Sequence, residues 1–112
     1  MLYIYNMSIE ADDLVFKALA NPVRRRLLDL LKDAPKTTGV LCLAAPELNR
    51  CTVMQHLKVL EEADLLIVER RGRERWNHLN PLPIHRIHTR WIGPFAAQAV
   101  GVLDVLKADL ES

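Results

Sequence analysis

Residues 49–79 read NRCTVMQHLKVLEEADLLIVERRGRERWNHL, and a change of period inside this stretch decides the fold. Asn49 has the side chain of a helix N-cap. Val53, Leu57, Leu60 and Ala63 follow at the spacing that lines one face of a helix running to about Ala63. Beyond Ala63 the helical spacing stops. Residues 65–71 and 74–79 are short strand-like segments, and Gly72-Arg73 is the natural two-residue reversal between them. The reading is an amphipathic helix followed directly by a β-hairpin.

Upstream, a first helix is expected over about 9–20, with Leu14, Ala18 and Leu19 along one face. It ends at Asn21-Pro22, because the residue before a proline is pushed out of the helical region. The same pair opens the next helix, Asn21 as N-cap and Pro22 at the first helical position. Val23, Leu27, Leu28, Leu30 and Leu31 carry that helix to about Asp33. Arg24, Arg25 and Arg26 lie among them and read at least as well as a solvated, ion-paired face as they do as DNA contacts. Ala34-Pro35 is a break, after which Thr37 or Thr38 caps a short third helix carrying Val40, Leu41 and Leu43 and ending near Pro46. Two short helices joined by a tight turn, the second amphipathic, form a helix-turn-helix pattern, although this turn lacks the frequent glycine.

Downstream, Pro81 and Pro83 close the hairpin and a further helix begins at about Pro83, interrupted by Gly93-Pro94. Phe95, Ala99, Val102, Leu103, Leu106 and Leu110 then draw one apolar stripe. The expected order is H-H-H-H-E-E-H: a mostly α fold with a small β-hairpin wing, a winged helix-turn-helix. The 112 residues suit one domain over 1–112, with 1–7 a disordered or misassigned start and 83–112 a C-terminal dimerisation helix.

The net charge of +1 argues on its face against a polyanion partner, but the charge is unevenly placed. Arg70, Arg71, Arg73, Arg75, Arg86 and Arg90 face only Glu69 and Glu74 across the same stretch, and it is the local field that attracts phosphate. No apolar run approaches the ~20 residues of a membrane span, and the opening MLYIYNM has no basic leader. A cytoplasmic protein with free thiols and no membrane association is therefore expected. A glycine-rich phosphate loop, a nucleophile with a credible base and paired carboxylates are all missing, so an enzyme is not expected, and no cofactor is called for.

The segment Leu19-Ala20-Asn21-Pro22-Val23-Arg24-Arg25-Arg26-Leu27 resembles the second-helix signature of the ArsR-type winged-helix repressors. Residues 53–66 look like that family's recognition helix running into its wing. Residues 71–77 with Leu79-Asn80-Pro81 are similar to a branch that carries no metal-binding motif. The resemblance implies a homodimeric repressor built on the first and last helices, presenting two recognition helices to successive major grooves. The residues ask for something similar: the stripe Phe95, Ala99, Val102, Leu103, Leu106 and Leu110, with Leu14 on the first helix, needs a cover.

In that frame the recognition helix, about 49–63, enters the major groove of double-stranded DNA. Asn49, Arg50, Cys51 and Thr52 form its first turn, and Met54, Gln55 and Lys58 lie outward. Gln55 suits adenine and Arg50 suits guanine or phosphate; Met54 and Thr52 suit a thymine methyl, and Lys58 a phosphate. His56 borders the buried stripe and reads as structural. On the wing, about 66–79, Arg73 at the tip suits a minor groove, with Arg70, Arg71 and Arg75 flanking it on phosphate. Two-fold symmetry predicts an inverted-repeat operator.

Two other readings stand beside this one: a winged-helix protein-interaction module, and a redox-responsive repressor using Cys51 with Cys42. Leu41-Cys42-Leu43-Ala44 holds a single thiol where metal-sensing members carry Cys-x-Cys, and His85 and His88 with nearby His78 read as surface histidines, so no metal is expected. The effector is left open.

Overall fold

A computed structural model describes the backbone of residues 2–111, and the side chains of that span apart from residues 2–9, 94, 96, 97, 99 and 100. Helix α1 spans Leu2–Leu19, α2 Pro22–Leu31, α3 Thr38–Leu43 and α4 Arg50–Glu62. Strand β1 is Lys36–Thr37, β2 is Leu66–Arg71 and β3 is Glu74–Leu79. Helix α5 covers Leu82–Trp91, a 3-10 turn Gly93–Phe95, and α6 Ala96–Glu111.

The local signals act as their chemistry demands. Asn21 caps α2, its Oδ1 accepting from the Val23 N–H at 2.8 Å and the Arg24 N–H at 3.3 Å. Thr37 caps α3 and Asn49 caps α4, the latter accepting from the Thr52 N–H at 2.8 Å. Helix α4 ends with Asp64 in the left-handed region (φ 63°). There the Leu65 N–H reaches the Leu60 carbonyl and the Asp64 N–H reaches that of Glu61, the two bonds of a Schellman ending. That turn directs the chain straight into β2. Gly72, φ 62°, opens the two-residue reversal, and Arg71 pairs with Glu74 across it.

The core lies where α1, α2, α3 and α4 converge on the root of the wing: Val15 and Ala18, Leu27, Leu28 and Leu31, Leu41, then Val53, Leu57 and Leu60, closed by Leu65 and Leu66. Three expectations need correction. The chain is helical from Leu2 rather than from about residue 9, and α1 buries Val15 and Ala18 while Leu14 turns outward, because the residue 15, 18, 19 face meets α2 and α4. The sheet has three strands, in the order β1-β3-β2: Lys36 and Thr37 pair antiparallel with Asn77 and Trp76. Buried Asn77 secures that third strand, its Nδ2 donating to the Lys36 carbonyl and to Thr38 Oγ1. Finally, the string H-H-H-H-E-E-H omits β1 and counts as one helix the C-terminal stretch, which is two helices divided at the 3-10 turn where Gly93-Pro94 was expected to interrupt it. The 1–7 start bears on Met1, which lies outside the described residues, and on side chains that are likewise outside them.

Candidate nucleic-acid interface

The recognition helix presents the face its sequence implies. Asn49, Arg50, Cys51, Gln55 and Lys58 are exposed, and Thr52 and Met54 are half-buried, while Val53, Leu57 and Leu60 anchor the opposite side. Between the start of α4 and the wing runs a cleft of about 310 Å³, lined by Arg50 and Met54 of the helix and by Arg70, Arg73, Glu74 and Arg75 of the wing, four arginines against one carboxylate. Thr37, Thr38 and Gly39 also line it, a contribution missed in the sequence because β1 exists only through its pairing with β3. A second depression, about 390 Å³, continues along α4 past Met54, Gln55 and Lys58. The structure thus gathers Arg50, Met54, Gln55, Lys58, Arg70, Arg73 and Arg75 on one side of the domain.

The wing arginines divide by strand face. Arg70 and Arg75 are direct cross-strand partners, so their side chains leave the same face of the hairpin. Two like charges placed opposite one another destabilise a sheet unless an anion answers them. Glu61, on α4, answers Arg75 in an ion pair that ties the wing to the recognition helix. Among the described residues no carboxylate is in salt-bridge contact with Arg70, Arg73, Arg50 or Lys58. Arg71 points the other way: it donates to Glu69 at 2.6 and 3.1 Å and lies over the Trp76 ring at 5.1 Å. That bonding holds the Glu69 carboxyl below its ordinary range and raises Arg71 in return, and His78 adds a 3.1 Å contact to the same carboxylate.

The Arg24–Arg26 triplet is bonded to protein. Arg25 donates to the Leu19 carbonyl at 2.6 Å, and Arg24 to those of Ala18 and Lys17, capping the end of α1. Arg26 pairs with Glu47, whose carboxyl it holds below the usual value. Cys51 is exposed and Cys42 half-buried, both as free thiols. Among the described residues no cluster of three His, Cys, Asp or Glu side chains is placed to hold a metal ion. No described helix is long and apolar enough to cross a membrane.

On the predicted dimerisation face, Leu14 is 43% exposed, Phe95, Val102, Leu103 and Leu106 more so, and Leu110 80%. The Ala99 side chain lies outside the described residues. Every described side chain of residues 101–111 is exposed.

Comparison with known proteins agrees with this geometry. Residues 19–69 match the model of a helix-turn-helix domain family. The chain is 33% identical over 66 residues to the transcriptional repressor SdpR of Bacillus subtilis, covering 59% of this chain and 72% of that protein. A solved structure described as a possible transcriptional regulator for arsenical resistance is 33% identical, with a TM-score of 0.60 over 83% of this chain and 92% of its own. An ArsR-like transcriptional regulator from Rhodococcus sp. RHA1, 22% identical, shares the fold with a TM-score of 0.68 over 99% and 96% of the two chains. A cationic cleft beside an outward polar helix, on this scaffold and with these relatives, identifies a transcriptional regulator with a helix-turn-helix DNA-binding domain: the chain belongs to the ArsR-type winged helix-turn-helix regulators.

Proposed function

We propose that the chain acts as a cytoplasmic homodimeric repressor that binds an inverted-repeat operator, with α4 in the major groove and the wing on the minor groove. The observation that carries the DNA reading is the cleft in which Arg50, Arg70 and Arg73 converge beside the outward Gln55 and Lys58. A protein-interaction groove would favour a wide apolar patch there, and this face is polar and basic. In this reading Gln55 and Arg50 address base edges, with Asn49, Cys51, Thr52 and Met54 beside them, and Lys58, Arg70 and Arg73 address the backbone and minor groove. Arg75 and Arg71, already engaged by Glu61 and Glu69, support the wing and add to its field.

Dimerisation through α1 and the C-terminal helices is supported by the exposed side chains of Leu14, Phe95, Val102, Leu103, Leu106 and Leu110. An apolar helix surface left in water is unfavourable at about 25 cal/mol per Å², so a second copy is the economical cover. Repression is supported by the similarity to a named repressor. Sedimentation of the protein alone, and on a duplex recovered from a randomised pool, tests the assembly. A dimer in both states is expected, and a monomer bound singly to DNA would overturn it. The exposed thiol of Cys51 supports a second reading, peroxide-sensitive binding; retained sensitivity in Cys51→Ser would end it.

A further inference from the structure

Arg24 belongs to α2, yet its guanidinium bonds to two other helices. Nε donates to the Ala18 carbonyl at 2.7 Å and Nη2 to the Lys17 carbonyl at 2.9 Å, both in the last turn of α1. Nη1 lies 3.2 Å from Nδ1 of His56, in the middle of α4. The end carbonyls of a helix lack partners and carry the negative end of its dipole, so they hold a cation in place. Of the three N–H groups that remain, those on Nη1 are left beside the recognition helix.

The chemistry of this contact fixes the state of the ring. Arginine has donors and no acceptor. Nδ1 of His56 must therefore be the acceptor, with its lone pair free and the ring proton on Nε2. An imidazolium has an N–H at both nitrogens. It would set N–H against N–H and cation against cation at this distance, and the hydrogen bond would break.

We propose that Arg24 and neutral His56 form a positioning joint that sets the recognition helix against the end of α1, and that protonation of Nδ1 opens it, lowering sequence discrimination while the fold persists. The proposal rests on α4 being the DNA-reading helix. It assigns neither residue a contact with DNA: His56 is half-buried, and the Arg24 guanidinium is turned towards α1 and α4. In that reading α1 also belongs to the dimer interface, so the joint connects the element that spaces the two reading helices with the helices themselves.

The surroundings favour the closed state. Burial, and then the Arg24 charge, hold His56 below its ordinary value. The charged group facing the ring is Arg24 of α2; α1 meets that guanidinium through the Lys17 and Ala18 carbonyls. Among the described residues no carboxylate is in salt-bridge contact with His56. Along α4 its neighbours one turn away, Thr52, Val53, Val59 and Leu60, are neutral.

Protonation has two effects of opposite sign on DNA binding. Added positive charge raises affinity for any sequence, whereas an opened joint lowers preference for the correct one. The ratio of affinities, rather than either affinity, is therefore the quantity to follow. The probe is a duplex selected from a randomised pool by the wild-type protein at about pH 7.5, compared with a scrambled duplex of equal length at constant ionic strength, down to about pH 4.5, far enough to protonate a ring held below its ordinary value. The variants are His56→Asn, whose Oδ1 stands near the position of Nδ1 and does not titrate, and His56→Leu, which keeps bulk and removes the acceptor.

The wild-type ratio is expected to fall about tenfold on acidification, the size of one charge-assisted hydrogen bond. The ratio for His56→Asn should stay flat near the neutral wild-type value, and that for His56→Leu should be low throughout, with circular dichroism unchanged in all three. Equal pH curves for wild type and His56→Asn, or a wild-type ratio in His56→Leu, would overturn the proposal. A long-range proton–nitrogen NMR correlation on free protein gives a test independent of DNA: the neutral ring should carry its proton on Nε2, and a proton on Nδ1 would contradict the joint. A pool that enriches no duplex would overturn the DNA reading and the positioning role with it, while leaving the tautomer result to stand on its own.

Discussion

Arg70 and Arg73 stand in the wing without a carboxylate partner among the described residues, whereas Arg71 and Arg75 each have one. Alanine at position 70 or 73 should therefore weaken binding to all duplexes alike. It should also reduce the salt slope by about 1 for each phosphate no longer neutralised, about 2 per dimer. Alanine at Gln55 should instead relax discrimination at one base pair per half-site, by about 1–3 kcal/mol. Binding titrations on the selected duplex and its single-base variants separate the two outcomes. The tip arginine was legible because Gly72-Arg73 marks the reversal. The division of Arg70 and Arg75 from Arg71 was legible once register was known, since alternate residues leave opposite faces. The Glu61–Arg75 pair was not, because it joins two elements whose packing no local pattern encodes.

The titrating side chains make a further prediction at this scale. His56 is held below its ordinary 6.5, so between that value and the depressed one the unfolded chain binds more protons than the native chain. Stability is then greatest above this window and declines as pH falls through it. Glu47 and Glu69 lie below their ordinary 4.5, so what they contribute is present above 4.5 and is lost on further acidification. Thermal melts against pH should show His56→Asn abolishing the upper decline and leaving the lower one.

At the scale of elements, the helix ends were the most legible part of the chain. Asn21 and Asn49 each cap the helix that their position implied, and of the two threonines the sequence offered for α3 it is Thr37 that caps it, because a cap is a contact between residues two or three apart. Asn49→Ala should cost about 1 kcal/mol of stability, measured by denaturant unfolding. The other end of α4 holds a conformation usually given to glycine. Asp64→Gly relieves a left-handed residue that has a side chain, offset by greater freedom of the unfolded chain, and should stabilise by about 0.5–1 kcal/mol. Strand β1 escaped the sequence reading for the opposite reason. Lys36 and Thr37 have no alternation of their own; what makes them a strand is their pairing with β3, where buried Asn77, far along the chain, donates to the Lys36 carbonyl and to Thr38 Oγ1. The division between α5 and α6 was visible in Gly93-Pro94, where proline removes a donor and disfavours helix in the residue before it.

At the scale of the molecule, the radius of gyration is 18.0 Å, against about 13 Å for a compact chain of this length, and the extents are 57 × 44 × 22 Å. The protein is elongated, and the exposed surface of α6 contributes to that shape. Leu103→Asp combined with Leu106→Asp should leave the core helices and wing folded and give a monomer by sedimentation. Its operator affinity should fall about a hundredfold or more as the second half-site is lost. Net charge hid the function and its distribution revealed it: a total of +1 coexists with a cleft lined by Arg50, Arg70, Arg73 and Arg75.

The central claim is that this cleft and the helix beside it read DNA. Its most direct test is the affinity of wild type and Arg73→Ala for the selected duplex and for its scrambled counterpart, titrated across about 50–200 mM salt. With about six phosphates neutralised per dimer, the wild-type log–log slope should be about −5. The selected duplex should be strongly preferred, and Arg73→Ala should bind more weakly with a shallower slope. Equal binding to both duplexes, with wild type and variant superimposed, would contradict the account.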